Sequence, residues 1–213
     1  YSGTTREMNE NFLNVCREVL PRGTQLYTIP GNHDLYAGGK PFYDLLDAIG
    51  QPASFFGLRN AHWQFLAMDT GLHDSDTFNV ATNVTYLDER EAQWHQDKLQ
   101  NNSGRKSVLL SHHQLFTAYS GTGQVNGQPQ ALNPLLYASF APYLDKINLW
   151  LWGHEHNMII FEPYKGVQRG RCVGCSAIPV PKELKPYDIN HDLADPPQFN
   201  KVRLSLDASN VYN

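Results

Sequence analysis

The run Ile147-Asn-Leu-Trp-Leu-Trp152 is apolar at five of its six positions. Such a run describes a strand buried on both faces, and a strand of that kind belongs to a sheet covered by other layers. It ends on Gly153-His-Glu-His156, so a buried strand hands over abruptly to a loop of ionisable side chains. Two further segments repeat the pattern. Thr24 to Thr28 reads as a strand that leads into Ile29-Pro-Gly-Asn-His-Asp34, and Lys106 to Leu110 reads as one that ends on Ser111-His-His113. Loops at the ends of buried strands are where α/β proteins place chemistry, because the sheet fixes side chains that the loops leave free to converge.

The rest of the chain supplies the covering elements. Thr4 or Thr5 caps a helix predicted over Arg6 to Leu20, with Met8, Phe12, Val15, Cys16 and Val19 on one face. Further helices are predicted over Pro41 to Ile49, with Phe42, Leu45, Leu46 and Ile49 inward, over Leu87 to Leu99, capped by Asp88 and anchored by Trp94, and over Pro134 to Leu144. Ser54 to Leu58 and Trp63 to Met68 form one hairpin, and Met158 to Phe161 with Gln168 to Gly174 form a second around Lys165-Gly166. Lys201 to Leu206 reads as a closing strand. Thr70 to Val84 has no period and reads as a binding or mobile loop, in which His73, Asp74 and Asp76 face substrate or solvent. Ala118 to Ala131 has the composition of a flexible flap, and Ser176 to Pro197 that of an irregular excursion.

At 213 residues and 41% hydrophobic content the chain can bury a sizeable core, and residues 1–213 are read as one domain. A net charge of -4 without runs of like charge argues against a dedicated polyanion-binding surface. A nucleic acid would then have to be held by local groups, including metal ions. Cys16, Cys172 and Cys175 cannot all pair within the chain, which fits a reducing compartment, hence a cytoplasmic location. Cys172-Val-Gly-Cys175 lacks the second half of a zinc ribbon and reads as a buried strand-end pair. No apolar run reaches the roughly 20 residues of a membrane span. No signal peptide precedes the helix, although Tyr1 has the look of a cut edge.

The three polar loops bring together Asn32, His33 and Asp34, His112 or His113, and His154 with His156. A lone histidine at a strand end is ordinarily a hydrogen-bonding residue. Here Gly31 and Gly153 allow tight turns and close backbone approach, and three such loops at neighbouring strand ends weaken that reading. A neutral imidazole suits zinc, manganese and iron, and an Asn carbonyl suits harder divalent ions, so the set describes a mixed nitrogen and oxygen site for a first-row metal.

Gly31-Asn-His-Asp34, Ser111-His-His113 and Gly153-His-Glu-His156, in that order, resemble the last three of five sequence blocks in the calcineurin-like metallophosphoesterases. The separations, 112 minus 32 equal to 80 and 154 minus 112 equal to 42, are of the family's kind. The resemblance implies an α/β (α+β) fold, a four-layer αββα sandwich. It implies two divalent or mixed-valence transition metal ions (manganese, iron or zinc) that hydrolyse a small phosphate mono- or diester. Carried over by position, Asn32, His112 and His154 bind one metal and His156 the other. His33 then acts as proton donor or transition-state stabiliser, with Asp34 orienting its ring. His112 is chosen over His113 because the family presents its ligand first after the strand. His73, His113 and Tyr119, with Gln124 and Asn126, stand on the substrate side, and Glu155 lies behind the ligands or faces solvent. The family's first two blocks, Asp-x-His and Gly-Asp, have no counterpart here. The resemblance therefore implies a longer parent whose upstream segment carries them, with Tyr1 at the end of the second, and an incomplete site in this piece. The alternative is a phosphoesterase-like scaffold that acts by binding protein partners.

Overall fold

The structure is a computed structural model that describes residues 2–74, 78, 84–175 and 188–200. In chain order its helices are α1 (Thr5–Glu7), α2 (Asn14–Val19), α3 (Asn32–Leu35), α4 (Lys40–Ile49), α5 (Glu89–Gln100) and α6 (Pro134–Phe140). Its strands are β1 (Phe56–Arg59), β2 (Trp63–Ala67), β3 (Lys106–Leu110), β4 (Gln124–Val125), β5 (Gln128–Pro129), β6 (Ile147–Trp152), β7 (Met158–Phe161), β8 (Gly170–Val173) and β9 (Phe199–Asn200). One mixed sheet runs β1-β2-β3-β6-β8-β7-β9, and β4 pairs with β5 in a separate hairpin. The inner neighbours β2, β3, β6 and β8 are parallel, while β1 at one edge and β7 and β9 at the other are antiparallel. Parallel neighbours end on the same side of a sheet, so the loops after β2, β3 and β6 share one rim.

The main core lies between this sheet and the helices α5 and α6. Leu66, Leu109, Trp150 and Trp152 from the strands meet Leu99, Leu136 and Phe140 from the helices, all essentially excluded from water. Phe140 stands edge-on to Trp150 at 5.3 Å, and Phe116 edge-on to Trp152 at 4.9 Å. Each such ring contributes about 1.5–3 kcal/mol by burial. A second cluster of Met8, Leu13, Leu35, Phe42, Leu45 and Leu46 joins the N-terminal helices to α3 and α4.

Several expectations are met closely. The strands at 106–110 and 147–152, the two hairpins, the Thr4 cap and the Asp88 cap all stand where the sequence placed them. Others are corrected. Between α1 and α2 the chain takes six residues of π-helix, Met8–Leu13. The wider turn aligns Met8 with Leu13 in the cluster and leaves Val15 and Val19 exposed, contrary to a 3.6-residue face. Thr24 to Thr28 is not part of any sheet and has no neighbouring strand among the described residues. The side-chain amide of Gln51 stands in for one: its Oε1 accepts from Thr28 N at 2.8 Å and its Nε2 donates to Thr28 O at 2.8 Å. Ala118 to Ala131 is not a featureless flap, since it holds the β4–β5 hairpin and has buried ends. Cys172 is buried but Cys175 is exposed, so the expected buried pair is half right. Asp76, Lys201 to Leu206 and most of Ser176 to Pro197 lie outside the described residues.

On α5, where Trp94 was the expected anchor, the polar side chains of Glu91 and His95 are buried alongside Ala92 and Leu99. Glu91 Oε1 accepts from Asp69 N at 2.8 Å and lies 3.2 Å from His95 Nε2. Burial pushes the Glu91 carboxyl up to about 8 and Asp69 up to about 6, and it pushes His95 down to about 3. A carboxyl raised in the folded state favours folding at low pH, and that contribution is lost as pH rises through the folded value. His95 acts in the opposite sense, but only below its ordinary 6.5. From pH 6.5 to 8, stability to urea is therefore expected to fall with a Glu91 component of up to about 1.4 kcal/mol per pH unit. Glu91→Gln is expected to flatten that slope, and an unchanged slope in the variant would show that Glu91 carries no proton in the fold.

Candidate metal centre

Register brings the histidines together. Leu110 and Leu151 are partners across β3 and β6, and just past them His112 O accepts from both Gly153 N (3.0 Å) and His154 N (2.8 Å). Behind the turn, Trp150 Nε1 donates to Ser111 Oγ, which donates in turn to His113 O. The His112 and His154 rings then meet nearly at right angles, with His112 Nε2 3.1 Å from His154 Nδ1. Asn32 arrives from the other cluster at the start of α3, and its Oδ1 lies 3.0 Å from the same His112 Nε2. Its Nδ2 donates to Tyr36 Oη at 2.6 Å, which turns Oδ1 toward the histidines.

Gly31 makes this approach feasible. A Cβ there would sit 2.7–2.9 Å from ring atoms of His112, and a Cβ on Gly71 would sit 2.8 Å from Gly31 O. The Gly31 and Gly71 turns thus meet backbone to backbone, and the His112 ring packs directly on the first of them. The donor set fits a metal. Bonds of about 2.0–2.2 Å at right angles place adjacent ligand atoms about 3 Å apart, the spacing of His112 Nε2 from Asn32 Oδ1 and from His154 Nδ1. Burial, reinforced by neighbouring imidazoles, holds His112 well below the ordinary range and His154 at about 3, so both are neutral and keep a lone pair for a ligand bond.

The other expected residues fall around this trio. His113 joins His112 and His154 in a cluster whose ligand atoms lie within 4.8 Å of one another. It is buried, with Nε2 2.8 Å from Asp74 Oδ2 and Nδ1 3.1 Å from Thr70 Oγ1. His33 is exposed beside the trio's Asn32, its ring 4.6 Å from that of Tyr36. Asp34 is partly buried, and its Oδ2 accepts from Gly31 N at 2.8 Å, which closes the first turn of α3. Burial raises its carboxyl above the ordinary value. His156 is exposed and outside the three-histidine cluster. His73 stacks on Tyr86 at 3.9 Å, and Tyr119 is tied to Thr117 and Asn190 through its backbone. Gln124 and Asn126 belong to the β4–β5 hairpin and its turn. Glu155 does not face solvent: it is buried, accepts from the Thr117 hydroxyl, and is pushed up to about 7 by burial.

Sequence reasoning missed a fourth strand end. Asp69 and Thr70 follow β2 as the histidines follow β3 and β6, and Thr70 holds both the backbone N–H and the ring of His113. The abrupt change at Met68-Asp-Thr70 was the available signal, obscured because the long polar loop beyond it drew the reading.

The chain matches the calcineurin-like phosphoesterase family over residues 4–158, and it belongs to that family. Its mixed sheet and flanking helices are consistent with the family's αββα sandwich. No curated protein matches the chain. Among solved structures, one described as "GAP50 the anchor in the inner membrane complex of Plasmodium" is 13% identical, with a TM-score of 0.37, over 60% of this chain and 39% of that one.

Gly31→Ala tests the close approach. Its φ of -90° suits alanine, so any cost is steric. A loss of about 1–3 kcal/mol in denaturant unfolding is expected, the range for overpacking a filled site. A wild-type midpoint would mean that the His112 ring has room to move.

Proposed function

We propose that the parent of this chain is a metal-dependent phosphoesterase that hydrolyses small phosphate mono- or diesters. The observation that carries the reading is the convergence of Asn32 Oδ1 and His154 Nδ1 on His112 Nε2, at 3.0 and 3.1 Å, from three loops more than forty residues apart in sequence. In this reading the trio holds one divalent manganese, iron or zinc ion, and His156 belongs to a second ion beside it. A bound ion of this kind supplies Lewis-acid charge for a phosphoryl oxygen and lowers the pKa of a water.

The chain's own residues then divide the remaining work. His33, exposed at the edge of the trio, is placed to give a proton to the leaving oxygen. Asp34 holds the α3 turn that presents His33, through its bond to Gly31 N. His112 and His154 stay neutral through burial and so remain ligands. His73 and Tyr119 line the approach for the remainder of the ester. We read residues 1–213 as a single domain of a protein that works in the reducing cytoplasm, without a basic nucleic-acid surface. Among the described residues, no helix is long and apolar enough to cross a membrane.

Elemental analysis paired with hydrolysis of nitrophenyl phosphate and bis-nitrophenyl phosphate tests the reading. Asn32→Ala, His112→Ala and His154→Ala are each expected to lower bound manganese. His33→Ala is expected to keep the metal and, in the metal-loaded parent, to lower kcat by about 10²–10⁴-fold. Full metal content in the three ligand variants would sink the assignment.

A further inference from the structure

The mechanism above makes no use of Asp74 and Thr70, although both are buried against the centre, at 4% and 0% exposure. They grip the two nitrogens of one ring. A carboxylate oxygen accepts only, so His113 Nε2–H donates to Asp74 Oδ2 at 2.8 Å. His113 Nδ1 is left to accept from the Thr70 hydroxyl at 3.1 Å, while the Thr70 oxygen accepts from His113 N at 2.9 Å. With both nitrogens engaged, the ring is fixed in plane and tautomer, and it offers no lone pair to an ion without losing a bond.

That fixed ring is packed against both histidine ligands. Its centroid lies 4.5 Å from that of His154, tilted by 37°, and 4.8 Å from that of His112, nearly perpendicular. Asp74 is itself held by the short turn after β2, where its N–H donates to Gly71 O at 3.0 Å and Gly71 lies against Gly31.

Building on the metal-centre reading, we propose that Asp74 and Thr70 are positioning residues that act through His113. They clamp its imidazole as a wall that sets the angle of the His154 and His112 rings, and so the geometry of the donor trio. His113 is in this assignment a spacer between ligands, neither a ligand nor a substrate contact. Partners that orient ligands typically affect metal affinity 10–100-fold.

Cobalt(II) titration of the purified chain, followed by visible absorption, reads ligand geometry directly. Asp74→Ala is expected to bind cobalt 10–100-fold more weakly and with shifted bands, while far-UV circular dichroism stays unchanged. Asp74→Asn, whose amide oxygen still accepts from Nε2–H, is expected to restore most of the wild-type spectrum. Thr70→Val reads the same clamp from the other nitrogen, independently of whether Asp74→Ala folds. Wild-type bands and affinity in Asp74→Ala or Thr70→Val would overturn the proposal, as would an Asp74→Asn variant no better than Asp74→Ala. If the wild-type chain takes up no cobalt, the metal-centre reading itself fails and the clamp with it. That outcome is distinct from intact binding in the variants.

Discussion

A single carbonyl holds the histidine cluster of this protein in place. His112 O accepts from Gly153 N and His154 N, and through these two bonds the ends of two parallel strands are locked in register. A slip of one residue would turn one of the two imidazoles to the opposite face and dissolve the cluster. The Trp150–Ser111–His113 chain of hydrogen bonds braces the same turn from the core side. The site is therefore as rigid as the sheet beneath it.

The second constraint acts between the two hydrophobic clusters. Asn32 belongs with the N-terminal helices and His112 with the sheet, and their contact across bare glycine backbone joins the two. A side chain at Gly31 or Gly71 would hold the turns apart, so close backbone approach is what turns two packed units into one centre. The same rim carries unusual electrostatics. Neutral histidines, carboxyls pushed upward by burial and an Asp–His–Thr clamp are crowded behind the strand ends. Such groups cost stability when desolvated, and functional sites are where proteins tend to concentrate them.

Much of this was readable from residues alone. The nearly unbroken apolar run at 147–152 specifies a buried strand because a side-chain pattern without alternation has only one stable environment in a sheet, and Val108 to Leu110 marks its neighbour. The polar loops after them specify where the sheet delivers its functional groups. The π-turn at Met8–Leu13 could not be read, because local pattern does not reveal an inserted residue when tertiary packing selects the face. Nor could the Gln51 side chain that serves Thr28 as a strand neighbour, since any amide at the right distance would do.

By itself the sequence determined the candidate donor side chains and the strand ends that carry them, since imidazole and amide groups are of the type that binds metal and a buried strand demands that composition. Tertiary structure decided which of the two adjacent histidines faces Asn32 and which is clamped by Asp74 and Thr70. It also decided that Glu155 points inward while His156 points out. Neighbouring residues in a turn differ little in local preference. The choice between them is made by what packs against each side, and that is a property of the assembled sheet.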